Sequence, residues 1–469
     1  MWIYWDRLDL NHTQVEFESW LDSGFSLFLN LCFTLFTGPV DRLLVRIWDS
    51  QILVPLLETR HAMSIEQTLI RISPEEQRLV NRLDLLNANS GSHSPSVATV
   101  QQAIPELNVN IDACFLSNPL ATDLFWSYFR RDAPQNSQLF KRMIEAYPSQ
   151  NRIIAEKLSS TVGVEPGCIF VSNGATEAIQ AVIQNFSSHI HVNVPTFSPY
   201  YEFAGPEHRV TRFQLDPAEN FAVDPQRYVE SVLKSGADTA VLISPNNPDG
   251  YLIPDYELNW ILSKLSNLST VIVDESFIHF ASRDMTGSNY KSVNDGLPTL
   301  VGITGQFENV TVVKSMSKDF GIAGIRAGYA IMKPSRVDRL LDHGYLWNIS
   351  GIAEYFFSLF NRSTFLDEYR EVLNTYLKYI ERFTSMTSGI NFLQAYPTEA
   401  NFQLIQMPSG VSSDLFANLM LIRHGIYVRS CGDKIGLDGE FLRVAIRTES
   451  ENAAIIDALS NVLGTIHHT

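Results

Sequence analysis

Residues 311–329 read Thr311-Val-Val-Lys-Ser-Met-Ser-Lys-Asp-Phe-Gly-Ile-Ala-Gly-Ile-Arg-Ala-Gly-Tyr329. A β-branched run ends in Ser315-Met-Ser317-Lys318, and a glycine-punctuated loop carries the chain on to Arg326. Two hydroxyls, an amine and a guanidinium thereby fall on one strand-to-loop turn. Such a turn can hold a phosphate dianion through Ser315, Ser317 and Arg326 while presenting Lys318 to a carbonyl for Schiff-base formation. A lysine in a loop is more often a solvated surface charge, so the weight rests on the residues around this stretch.

From about residue 155 to 335, short β-rich runs alternate with amphipathic segments, the pattern of a largely parallel sheet covered by helices. The strand candidates are 190–194, 239–243, 270–273, 310–313 and 325–331, with helices over 176–185, 225–234 and 256–265. Val171-Ser-Asn-Gly-Ala-Thr-Glu177 follows a β-run and opens a helix, so backbone N–H groups at Ala175 and Thr176 would favour an anion. Taken alone, that segment reads rather as a glycine turn with Thr176 as an N-cap. Ser244-Pro-Asn-Asn-Pro-Asp-Gly250 and Val273-Asp-Glu-Ser276 end two neighbouring runs, which would bring Asn247 and Asp274 to the carboxyl edge of the sheet, where open α/β sheets bind ligands. Beyond 335 the texture changes. Residues 367–386 place Tyr369, Leu373, Tyr376, Ile380 and Phe383 at helical spacing, as expected of a long helix on a second, smaller sheet.

These positions together resemble the fold type I enzymes that use pyridoxal 5′-phosphate (PLP), the aspartate aminotransferase fold. Within it they are most similar to the histidinol-phosphate aminotransferase and threonine-phosphate decarboxylase branch, over roughly residues 110–465. The resemblance implies an α/β large domain with a mostly parallel sheet and a smaller α+β C-terminal domain. It implies that Lys318 forms the Schiff base and that Arg326 clamps the cofactor phosphate with Ser315, Ser317, Ala175 and Thr176. Asp274 would pair with the pyridine nitrogen, Asn247 would bond the ring hydroxyl, and Phe197 would stack on the ring. Tyr147 of Ala146-Tyr-Pro-Ser-Gln150 looks like the tyrosine that reaches the phosphate across a homodimer with shared active sites. In Phe441-Leu-Arg-Val-Ala-Ile-Arg-Thr448, Arg443 would hold the substrate carboxylate. Arg447, on the same strand face, would take a second anion or form a salt bridge.

One departure from the family pattern bears on the reaction. Phe277 stands where a tyrosine usually bonds the ring hydroxyl, which puts ordinary amino transfer between an amino acid and a 2-oxo acid in question. Amino transfer is the main expectation. A decarboxylase, lyase or cyclase on the same fold is the alternative, and a non-catalytic regulatory module of this fold is the third reading.

Composition bounds the rest. The 469 residues are 45% hydrophobic and carry 35 Lys+Arg against 51 Asp+Glu, a net charge of −16. The basic footprint of a nucleic-acid binder is absent. Cys32, Cys114, Cys168 and Cys431 have no paired spacing, so neither a metal site nor a disulfide framework is expected, and a cytoplasmic location fits. Residues 25–36 are too few for a spanning helix, which needs about 20 apolar residues, so no membrane span is expected; they read as a buried or partner-facing helix, or alternatively an interfacial one. His189 and His191 share a strand face without an acidic partner and read as structural. Domains are expected at 1–108 (helical N-terminal extension), 109–345 (arm and PLP-binding domain) and 346–469, with the serine- and asparagine-rich stretch 87–96 as a linker.

Overall fold

The computed structural model describes residues 70–91, 93–134, 137–281 and 297–465. The expectations for residues 25–36 and for Cys32 lie outside them. Among the described residues, two helices come first, α1 (Pro74–Ala88) and α2 (Val97–Ala103). Ser73 opens α1 with a capping box closed by Glu76, and Ser96 caps α2 through the Thr99 amide. The stretch between them is not a free linker: Asn89 is the C-cap of α1, and Tyr427 donates to the Pro95 carbonyl. Leu79, Leu83, Val100, Ile104 and Leu107 share one apolar cluster with Leu421 and Tyr427, far along the chain.

Among the described residues, seven strands form the large sheet: β1 (Ile169–Ser172), β2 (His189–Val194), β3 (Arg209–Gln214), β4 (Thr239–Ile243), β5 (Thr270–Asp274), β6 (Val310–Ser315) and β7 (Gly328–Ile331). Their order is β1-β7-β6-β5-β4-β2-β3, with β7 antiparallel to both its neighbours and the others parallel. Strands β2, β4, β5 and β6 are buried along their whole length. Each is covered on both faces, so β4 and β5 read as nearly unbroken apolar runs, while β2 and β6 also bury polar side chains such as His191, Asn193, Thr311 and Lys314. The helices over 174–186, 225–235 and 255–264 supply cover where periodicity placed them.

The strand expected over 325–331 begins only at Gly328. Residues 323–325 form a 3-10 turn and Arg326 takes a left-handed backbone with φ 63°. Two glycines make this corner. A Cβ on Gly174, whose φ is +76°, would lie 2.4 Å from Arg326 Nη2, and one on Gly328 would lie 2.6 Å from the Ala175 nitrogen.

The smaller sheet has β8 (Gln394–Ala395), β9 (Phe402–Gln406), β10 (Arg429–Ser430) and β11 (Phe441–Ala445), antiparallel in the order β10-β11-β9-β8. The helix Ser363–Ser388 buries the expected stripe Tyr369, Leu373, Tyr376, Ile380 and Phe383. A short parallel pairing of Ile111–Asp112 with Ile426–Tyr427 ties the start of the enzyme body to this second layer. His189 and His191 both face Thr211 Oγ1, at 3.1 and 2.8 Å, and burial together with His189 pushes His191 down to about 4. Among the described residues, no helix is long and apolar enough to cross a membrane, and no group of three metal-ligating side chains occurs.

Candidate active site

The carboxyl ends of β1, β4, β5 and β6 open on a cavity of roughly 400 Å³. Ala175, Thr176, Phe197, Asn247, Asp274, Ser315, Ser317, Lys318, Arg326 and Arg443 all line it. Parallel strands deliver these side chains to one edge because each strand end and its following loop face the same way.

One end of the cavity is built for an anion. The first turn of the helix Gly174–Phe186 brings the Ala175 and Thr176 amides beside Ser315, Ser317 and Arg326, whose Nη1 lies 3.4 Å from Ser317 Oγ and donates to the Ala323 carbonyl at 2.9 Å. In the middle stands Lys318. Burial, and then the charges of Arg443 and Arg326, push its amine down to about 8, with Asp274 and Asp319 opposing. A neutral amine, the form that attacks a carbonyl, is thus within reach near neutral pH.

Asp274 is buried at the end of β5. Its Oδ2 accepts from Tyr200 Oη at 2.8 Å and its Oδ1 from the Ser276 amide at 2.8 Å. Burial pushes its carboxyl up, while Ser276, Tyr200 and the charge of Lys314 pull the other way. Among the described residues no cationic side chain forms an ion pair with it. A buried carboxylate lacking a cation is the environment a pyridinium would complete.

From β11, Arg443 Nη1 donates to Asn247 Oδ1 at 2.8 Å and Nη2 to the Cys114 carbonyl at 2.9 Å, while its buried Nε has no partner. An orphaned guanidinium N–H beside the cavity fits an incoming carboxylate or phosphate. Phe277, 3% exposed, lies edge-on to Phe402 with ring centroids 5.1 Å apart and lines the cavity without a hydrogen-bonding group. The donor set and the glycine-made room at Arg326 fit PLP: the turns from Ala175 to Arg326 would hold its phosphate, Asp274 would pair with its ring nitrogen, and Lys318 would meet its aldehyde.

Two residues named from sequence are elsewhere. Arg447 is not at the cavity: β11 stops at Ala445, so the alternation that would align it with Arg443 does not continue. Its Nη1 donates to the Ser117 carbonyl at 3.2 Å and its Nε lies 3.6 Å from Glu451. Tyr147 is 82% exposed and touches Trp347, ring centroids 5.3 Å apart, without reaching the cavity of its own chain. The aromatic run at Phe356–Phe357 is core, and Trp126 is half-exposed outside the cavity.

The cavity also holds side chains the motifs did not mark. His93, Ser94, Cys114 and Phe115 come from the N-terminal side, and Arg429 and Lys434 from the smaller sheet and its following loop. Arg429 donates to Ser94 Oγ at 3.0 Å and to Asp433 at 2.6 Å, and Lys434 lies 3.3 Å from Asp433. Tyr200, which holds Asp274, was equally unmarked. The run Pro195-Thr-Phe-Ser-Pro-Tyr200 gives its position, but no spacing rule points it at a carboxylate 74 residues on.

The sequence model of aminotransferase class I and II matches residues 142–459. The chain is 44% identical to an L-serine phosphate decarboxylase of Campylobacter jejuni, over 84% of this chain and 99% of that one. It is 40% identical to an L-serine phosphate decarboxylase of Sulfurospirillum multivorans, over 81% and 94% respectively. A solved structure of a decarboxylase from Sulfurospirillum multivorans superposes with a TM-score of 0.77 at 38% identity, covering 83% of this chain and 98% of that one. With the motif order, the fold and these likenesses in agreement, the chain belongs to the aminotransferase class I and II family of fold type I, whose cofactor is PLP.

Proposed function

We propose that this protein is a PLP-dependent decarboxylase of a phosphorylated amino acid, with L-serine O-phosphate as substrate, rather than the aminotransferase expected from motifs alone. The observation that carries the reading is the charge of the cavity. Its lining has five cationic side chains, Lys318, Arg326, Arg429, Lys434 and Arg443, against one acidic side chain, Asp274. The cofactor phosphate uses Arg326. Arg443, together with Arg429 and Lys434 and the Asp433 carboxylate that these two share, then faces a substrate carrying both a carboxylate and a phosphate as a net cationic group. The two decarboxylase likenesses support the same choice, and Phe277 is consistent with a departure from amino transfer.

PLP, when bound, supplies an electron sink for the pair left on the α-carbon as carbon dioxide departs. The protein supplies the rest. Arg443, fixed by Asn247 and the Cys114 carbonyl, orients one anionic end of the substrate. Arg429, fixed by Ser94 and Asp433, and Lys434 hold the other. Phe115, Leu116 and Phe277 offer apolar wall, where a carboxylate stripped of water is less stable than the neutral gas it releases. Lys318 Nζ holds the proton that the α-carbon takes up after carbon dioxide leaves, so the product is O-phosphoethanolamine.

Purified holoenzyme given L-serine O-phosphate is expected to release carbon dioxide and O-phosphoethanolamine in equal amounts, with no need for a 2-oxo acid. Amino-group transfer to a 2-oxo acid without carbon dioxide would return the protein to the aminotransferase reading. Loss of the substrate phosphate should cost about 3 kcal/mol of charge-assisted contact, so serine should be handled roughly 150-fold less efficiently, and Arg429→Ala should narrow that gap.

The working unit we propose is a homodimer. The helix Gln138–Glu145 has no buried residue, and Ile144, Leu346 and Trp347 are 69, 52 and 51% exposed beside Tyr147. A second copy covering this face would let Tyr147 approach the neighbouring cofactor phosphate. Sedimentation at about twice the 52.9 kDa chain mass is the expected result, and a fully active monomer would contradict it.

A further inference from the structure

Behind the cavity, the Lys318 turn is closed by an ion pair that takes no part in the chemistry above. Lys314, on β6, and Asp319 are both buried, and Lys314 Nζ lies 2.5 Å from Asp319 Oδ2. The same ammonium donates to the Glu275 carbonyl at 3.3 Å. His279 Nδ1 lies 3.0 Å from Asp319 Oδ2 and 2.8 Å from Tyr369 Oη, and Asp319 Oδ1 accepts from the Phe320 amide at 3.0 Å.

The placement is specific. Lys314 and Asp319 bracket residues 315–318, the turn that carries Ser315, Ser317 and Lys318. Glu275 directly follows Asp274. One buried cation therefore joins the segment bearing the Schiff-base amine to the segment bearing the pyridine partner. Stability does not explain it, because burying two ions costs about what their attraction returns, and an apolar pair of equal volume often does better. What an ion pair adds is direction. Although burial opposes its ionisation, His279 and Lys314 hold the Asp319 carboxyl down at about 2, so the charge is present at neutral pH.

We propose that Lys314 and Asp319 are positioning residues: their buried pair clips the 315–318 turn against the end of β5 and so sets where Lys318 stands relative to Asp274. The proposal rests on Lys318 and Asp274 acting on the cofactor, and borohydride labelling of Lys318 in every protein checks that separately. Absence of label in the wild type would fault the site reading, whereas label retained in the variants leaves the clip as the thing tested.

The test compares holoenzyme of wild type, Asp319→Asn, Lys314→Met/Asp319→Leu and Lys314→Arg. It reads the pH midpoint of the bound cofactor's absorbance, the visible circular dichroism of that cofactor and the melting temperature of the apoprotein. The charges facing Lys318 are Arg443, Arg326, Asp274 and Asp319. Around Asp319 the ionisable groups are Lys314 and His279, with Glu275, Tyr329 and Tyr369 interacting from further elements. In Asp319→Asn an anion favouring the cationic amine is removed while both arginines remain, so the midpoint should fall by about one pH unit or more. The dichroism should weaken at least about twofold, as an amine held less firmly orients the chromophore less well.

The apolar double variant should recover apoprotein melting without recovering the dichroism. Lys314→Arg, which keeps the charge but not the geometry, should melt like wild type with weakened dichroism. Unchanged midpoint and dichroism in Asp319→Asn would overturn the proposal. So would dichroism restored along with melting in the double variant, or intact dichroism in Lys314→Arg, which decides the matter if the neutral variants do not fold.

Discussion

Lys318→Ala is expected to lose turnover by at least about 10⁴-fold, together with the visible absorbance of the bound cofactor and any borohydride-fixed adduct. The fold should survive. The Lys318 carbonyl accepts from the Asn118 and Gly321 amides, and alanine keeps both bonds. Among the described residues its Nζ has no hydrogen bond or ion pair, so removing a partly buried amine beside Arg326 and Arg443 relieves repulsion. The apoprotein should melt no lower than wild type. Cofactor absorbance and turnover near the wild-type level in this variant would rule out the assigned chemistry, and melting measured in parallel separates a dead site from an unfolded chain.

Asp274→Asn is the second large effect expected. Removing one partner of a buried charge pair costs about 2 to 5 kcal/mol, which lowers the rate roughly 30- to 5,000-fold if that pair acts in the transition state. The amide is isosteric, so Ser276 and Tyr200 keep a neighbour of the same shape while the ring nitrogen loses its counter-ion. The apoprotein should respond in the opposite sense. Burial raises the Asp274 carboxyl above its ordinary range, so the folded state binds this proton more tightly than the unfolded chain, and the wild-type apoprotein loses stability as pH rises through that window. Above it, apo Asp274→Asn should melt higher than wild type. Full activity of the holoenzyme with asparagine at 274 would mean that the ring nitrogen needs no anion.

Much of this was legible in the chain because the relevant information is local. The central strands are buried on both faces, so each carries a cluster of Val, Ile and Leu that composition picks out, most plainly in 240–243 and 271–273. The phosphate cradle lies on two short turns whose chemistry is written in consecutive residues. Arg429, Lys434, Ser94 and Tyr200 were not legible, since they converge from segments separated by up to hundreds of residues and carry no spacing of their own. For Arg447 the salt-bridge alternative is the one the structure shows, with Glu451; its expected alignment with Arg443 failed because strand alternation was carried two residues past the end of the strand. The stretch 87–96 misled because serine, asparagine and proline signal turns and caps, whether or not the turn is tied down; here Ser94 accepts from Arg429 and Tyr427 holds Pro95. The choice between amino transfer and decarboxylation depends on the angle between a scissile bond and the cofactor plane, which no motif encodes.

The left-handed backbone at Arg326 sets folding against capture. An L-residue in that conformation is disfavoured by roughly 1 to 2 kcal/mol, and a glycine would relax the corner, but only at the loss of the guanidinium that seizes the dianion. The chain therefore keeps a small conformational cost at the one corner whose side chain completes the anion-binding turn, which is why a residue other than glycine stands there.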